Sequence, residues 1–186
     1  PIPRVSDISV DDFKRDYLGR GRPVILSGAA STWGCVGKWS PQFLADRYGN
    51  DPVALIDASP KVLENTDHEL EYTTLREVIE SMGSGPLSKY SRGNTRGKDH
   101  PELIKDFDLE FLRKRRNALA SGKTFQVFIG GAGTKTHIHS DSEHNLFTQV
   151  YGKKHWILYP PAYDGIIDPV ISRTPYFYTG FDPDAP

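Results

Sequence analysis

Cysteine is nearly absent. Cys35 stands alone, so no internal disulfide can form and the fold must be held by packing and hydrogen bonds. Long apolar runs are missing as well. Nothing approaches the ~18 consecutive apolar residues of a membrane-spanning helix, and no basic stretch followed by an apolar core marks a secretory leader. Neither sign of charge prevails. The 23 lysines and arginines face 24 aspartates and glutamates, a formal net charge of −1, with both signs mixed along the chain. That removes any electrostatic argument for a nucleic acid or an acidic membrane as partner. No internal repeat or low-complexity segment is present. The setting implied is reducing and cytoplasmic, or nuclear in a eukaryotic cell.

What is present suffices for one domain: 186 residues can bury roughly two thirds of their unfolded surface. Ser9 with Asp12 reads as a helix cap with an acid in the first turn, and Val10, Phe13 and Tyr17 share a face until Gly19 ends the helix. Residues 23–26 form a strand candidate. Trp33 and Trp39 flank a glycine-rich turn around Cys35 and are expected to pack in the core. A second helix starts at Ser40-Pro41 and stops at Gly49, and residues 52–57 return as a strand. Thr74 with Glu77 makes a capping box for a helix whose apolar stripe is Leu75, Val78, Ile79 and Met82. Residues 84–100, rich in glycine, serine and charge, are expected to be irregular and mobile, a possible lid. The basic run at 113–116 reads as a solvated face.

The chemistry concentrates in residues 124–161. Three short runs there, 125–129, 146–150 and 155–159, are rich in aromatic and β-branched residues and read as strands. Between the first two lie His137, His139, Asp141 and Glu143, which alternate and would share one face of an extended strand. Two groupings fit a metal. His139-x-Asp141 supplies two limbs of a two-histidine, one-carboxylate triad of the kind that binds Fe(II) and leaves positions open. Alternatively His137, His139 and Glu143 bind together, as in small cupins. Thr136, Asn145 and Lys154 surround the cluster. A buried lysine without a protein carboxylate is costly, whereas one that meets an anionic ligand is satisfied.

Those residues carry a resemblance. Thr136-x-x-His139-x-Asp141, Asn145-Leu-Phe-x-Gln149-Val-x-Gly152-x-Lys154 and Ile157-Leu-Tyr-Pro-Pro161 resemble the JmjC-type, cupin-like 2-oxoglutarate oxygenases, the group that includes the asparaginyl hydroxylase of hypoxia-inducible factor. The opening fits too, with Arg22-Pro-Val-Ile-Leu-Ser-Gly28, Lys38-Trp-Ser40 and Tyr48-Gly49 in the family's order. The resemblance selects the His139, Asp141 grouping and leaves His137 as a neighbour. It implies a mainly β fold with flanking N-terminal helices, a jelly-roll double-stranded β-helix. Residues 1–120 would be the cap of a single domain and 121–186 the first part of its core. It also implies Fe(II) on His139 and Asp141, and 2-oxoglutarate held by Thr136 and Lys154 with help from Asn145 and Tyr90. The partner would be a protein or peptide substrate, hydroxylated or demethylated at a methyl-lysine. The family's third ligand, a downstream histidine, is expected beyond Pro186, and the β-helix is expected to be incomplete at that end. A non-catalytic cupin-like binding module is the alternative.

Overall fold

The computed structural model describes residues 1–57, 71–84, 89–93, 99–117, 125–141, 144–170 and 177–181. They fall into two compact units interleaved along the chain. The first comprises Pro1–Ser40, Asn94–Gln126 and Phe147–Gly152, the second Pro41–Gly93, Val127–Leu146 and Lys153–Pro186.

In the first unit, strand β1 (Arg4–Val5) pairs in parallel with β2 (Ile25–Leu26). Helix α1 (Val10–Asp16) begins where the sequence places it, because the Ser9 hydroxyl accepts the Asp12 N–H at 3.0 Å. It does not run to Gly19. The chain tightens into a 3-10 turn, Leu18–Arg20, that includes this glycine, and Gly21 at φ 60° ends it. A left-handed stop favours glycine, and here the second of two available glycines takes it.

The core of this unit is aromatic. Trp33 meets Phe107 and Phe111 edge to face at 5.8 and 5.6 Å, and Trp39 meets Phe107 at 5.2 Å. Both tryptophans are buried, as expected. One carboxylate ties this cluster together. Asp106 lies between α4 (Pro101–Ile104) and α5 (Leu109–Arg115). It accepts the Trp39 indole N–H at 2.8 Å and the Lys38 ammonium at 2.7 Å, and its main-chain carbonyl accepts the Cys35 N–H at 3.1 Å. Gly34 packs closely beside it, since an added Cβ would stand 3.1 Å from Asp106 Oδ1 and the carboxylate would have to shift by a few tenths of an ångström. Burial pushes the Asp106 pKa up, but the Lys38 and Trp39 hydrogen bonds together outweigh it and hold the carboxyl below its ordinary value.

In the second unit, α2 (Pro41–Tyr48) and α3 (Leu75–Ser81) lock through backbone and side chain together. Leu75 N–H bonds Asp51 O and Arg76 N–H bonds Gly49 O, while the Arg76 guanidinium donates to Ala45 O, a carbonyl in the last turn of α2. A Cβ on Gly49 would stand 2.2 Å from Ala45 O and 2.7 Å from Arg76 Nη2, so only glycine fits. The Thr74–Glu77 capping box forms as read, and Leu75 and Val78 are buried. Strands β3 (Pro52–Asp57), β4 (Glu71–Thr74), β5 (Lys89–Gly93) and β6 (Val127–Ile129) make an antiparallel sheet ordered β4-β3-β5-β6. Helix α6 (Asp164–Ile167) follows a 3-10 turn at Pro161–Tyr163.

Two expectations need correction. Within residues 84–100, taken as irregular, β5 is a central strand flanked on both sides by ladders. Its sequence, KYSRG, lacks alternation of apolar and polar residues, so pairing with neighbours on both edges overrides a weak local signal. The remainder, 85–88 and 94–98, lies outside the described residues. Conversely, residues 146–150 and 155–159 carry a strand-like pattern but no strand. A strand is defined by a partner, and among the described residues neither run has a ladder.

The Asp106 linkage yields a measurable consequence. Asp106→Ala should lower unfolding stability by about 2–3 kcal/mol, since it strands the Trp39 indole and removes a charge-assisted bond. Because its folded pKa lies below the ordinary value of 3.8, the contribution is fully present above that value. It is lost as pH falls through the folded pKa. Urea melts at pH 7 and in acid should show the wild-type advantage shrinking only in acid.

Candidate functional site

After β6 the chain turns on glycine. Thr134 folds back on Gly131 through its N–H and its hydroxyl, at 3.3 and 2.9 Å, and Gly133 takes φ 83°. The chain then enters β7 (His139–Ser140), which pairs antiparallel with β8 (Phe177–Tyr178) in the register His139↔Tyr178 and Ser140↔Phe177. Thr179 anchors this ladder. It is buried, its N–H bonds Ile138 O at 3.3 Å, and its hydroxyl donates to Ile167 O of α6.

That register has a consequence for His139. Since Ile138 and Thr179 share a main-chain hydrogen bond, the next pair, His139 and Tyr178, is of the non-hydrogen-bonded kind. In such pairs the Cα atoms approach to about 4.5 Å and the side chains lie on one face. Tyr178 is therefore the cross-strand neighbour of the candidate ligand. No local pattern could have marked it, because the pairing joins segments far apart in sequence.

His139 is exposed, and its Nδ1 lies 2.7 Å from the main-chain oxygen of His137. A carbonyl only accepts, so Nδ1 carries the proton, and in the neutral ring the lone pair is on Nε2. Metal-binding imidazoles commonly use this arrangement, in which a carbonyl fixes tautomer and ring plane. His137 thus serves His139 through its backbone, and its own ring is half-buried. Asp141, two residues on, is exposed. The pair offers one imidazole nitrogen and one carboxylate, a donor set suited to Fe(II). Among the described residues no three His, Cys, Asp or Glu side chains gather to hold an ion. Glu143, of the competing cupin grouping, lies outside them.

Thr136 and Asn145 are exposed and belong to the same unit as His139. Tyr90 takes its place on β5, opposite Ile56 of β3; its side chain lies outside what is described. Lys154 belongs to this unit too. Its ammonium lies 4.8 Å from the ring centre of Trp156 and 5.9 Å from that of Phe128 on β6. Although the residue as a whole is exposed, partial burial lowers the lysine pKa. Trp156 was readable as a companion of Lys154, since residues two apart in an extended chain share a face. Phe128 was not, because only the fold brings it there.

Comparison with known proteins bears on the family. The family model described as a cupin-like domain matches residues 10–168. A lysine-specific demethylase, JMJ21 of Arabidopsis thaliana, is 28% identical over 175 residues, covering 87% of this chain and 17% of that protein. Lysine-specific demethylase 8 of Xenopus tropicalis is 26% identical over 165 residues, covering 87% of this chain and 36% of its own. The human bifunctional peptidase and (3S)-lysyl hydroxylase JMJD7 is 24% identical over 167 residues, covering 81% and 51%. The chain thus spans about half or less of the length of each. No helix among the described residues is long and apolar enough to cross a membrane.

Lys154 offers a direct test of its surroundings. Competitive acetylation across pH, read by mass spectrometry, should place its midpoint below the ordinary lysine value of 10.5. A midpoint at that value would mean that the ammonium is as well hydrated as a free lysine.

Proposed function

The chain belongs to the cupin-like, JmjC-type family of 2-oxoglutarate oxygenases, and on that premise we propose that it forms part of an Fe(II)- and 2-oxoglutarate-dependent oxygenase acting on a protein side chain. The reaction is hydroxylation or, by the same chemistry, removal of a methyl group from lysine through an unstable hydroxymethyl amine. The observation that carries the reading is the His139 imidazole, set through Nδ1 by the His137 carbonyl and followed two residues on by Asp141. Its relatives support the substrate class, since those compared include lysine demethylases and a lysyl hydroxylase.

In this reading His139 Nε2 and the Asp141 carboxylate hold the iron, which when bound supplies the oxidative decarboxylation of 2-oxoglutarate and the oxidation of the substrate. The third donor is proposed to lie outside the described residues, and the strands closing a jelly-roll core with it. Lys154 provides the fixed positive charge for the far carboxylate of 2-oxoglutarate, and the Thr136 hydroxyl donates to the same group. Asn145 and Tyr90 are proposed to complete the co-substrate pocket. The protein's contribution is to orient the co-substrate by its two ends, one at the metal and one at Lys154, and to keep water from the reacting atoms.

Three measurements test this. With Mn(II) as an oxygen-stable stand-in, stoichiometric binding should be lost in Asp141→Ala and retained in Lys154→Ala. Lys154→Ala should weaken 2-oxoglutarate binding about ten- to a hundredfold, the equivalent of roughly 1.5–3 kcal/mol for a charge-assisted contact. Because only the protonated amine attracts the anion, affinity should fall as pH rises through the lowered Lys154 pKa. Failure to bind Mn(II) stoichiometrically would favour the non-catalytic cupin-like module, and unchanged co-substrate affinity in Lys154→Ala would remove the lysine from the pocket.

A further inference from the structure

Lysine heads normally reach for water while their stems cover apolar surface. Lys154 departs from this habit, its ammonium lying over Trp156 at 4.8 Å and within 5.9 Å of Phe128. Neither ring is a core residue, with Phe128 39% and Trp156 44% exposed. We propose that Phe128 and Trp156 are positioning residues for the co-substrate, holding the Lys154 ammonium in its binding pose on two aromatic faces before the far carboxylate arrives.

The inference rests on the reading of Lys154 as the carboxylate anchor and adds to it what sets the anchor in place. Three physical effects support it. A ring face attracts a cation through its quadrupole, most strongly for tryptophan, so the flexible four-carbon stem is held in one pose and less of its freedom is lost on binding. The rings displace water from the ammonium, in keeping with the lowered pKa, and a charge pair with fewer waters between its members is stronger. Finally, a ring face takes up positive charge without accepting a conventional hydrogen bond. The rings and a carboxylate can therefore engage the ammonium together rather than compete.

Calorimetric titration of the Mn(II)-loaded protein with 2-oxoglutarate tests the idea. Trp156→Leu is expected to weaken binding about three- to tenfold and Phe128→Leu about two- to threefold, with Trp156→Phe close to wild type and Mn(II) affinity unchanged in all. Two controls separate positioning from general damage. In a Lys154→Ala background, Trp156→Leu should have no further effect. Binding of 2-oxopentanoate, which carries a methyl group where 2-oxoglutarate has its far carboxylate, should be indifferent to Trp156→Leu. If Lys154→Ala weakens binding while Trp156→Leu leaves it unchanged or tightens it, the positioning role is overturned and the anchor stands. An equal loss from Trp156→Leu with and without Lys154 also overturns it. If Lys154→Ala itself has no effect, both fall. Should Trp156→Leu not fold, Phe128→Leu in the same two backgrounds decides the matter.

Discussion

A half-buried carboxylate, Asp106, fixes how two separate stretches of the first unit meet. Its side chain takes the Trp39 indole and the Lys38 ammonium, and its carbonyl takes the Cys35 N–H beside it. A carboxylate mostly removed from water must be matched by donors, and here a charged donor and a neutral one are enough to keep it ionised. Once Asp106 is so held, Phe107 stands next to it in the chain, in edge contact with both Trp33 and Trp39. The aromatic cluster therefore inherits its geometry from a polar network. The close approach of Gly34 to the same residue shows that little room remains for rearrangement.

The second unit solves the same problem with backbone. Gly49 lets the Arg76 guanidinium reach Ala45 O, so a side chain from one helix satisfies a carbonyl in the last turn of another. The sheet built from β3, β4, β5 and β6 follows, and from its last strand the chain turns on Gly133 into the His139 segment. Thr179 then pins that segment, joining Ile138 on one side to Ile167 on the other. The candidate site is thus carried by very short elements. A two-residue strand and a main-chain carbonyl, rather than a long rigid helix, orient His139.

The two halves of the proposed co-substrate site are held by different physics. At the metal end, orientation comes from a directional hydrogen bond between His139 Nδ1 and His137 O at 2.7 Å. At the anion end it comes from non-directional attraction between an ammonium and two rings. A directional bond fixes an angle, as a ligating imidazole requires. A ring face fixes a region, which suits a cation that must adapt to an incoming carboxylate.

The sequence by itself determined whatever depends on neighbours along the chain. The Ser9 and Thr74 caps, the helix from Pro41, the strand at 52–57, the burial of both tryptophans and the spacing of Thr136, His139, Asp141, Asn145 and Lys154 were all legible there. Cap hydrogen bonds, helical stripes and motif spacing are local, and the family itself could be named from that spacing. Tertiary structure decided the rest. It made a strand of KYSRG, where no alternation announced one, and gave none to residues 146–150 and 155–159, whose pattern did. It put Tyr178 across from His139 and Phe128 beside Lys154, choices that no residue type or spacing encodes. The physical reason is that a ladder or a ring contact is a relation between distant segments, and its free energy exists only after both have been brought together.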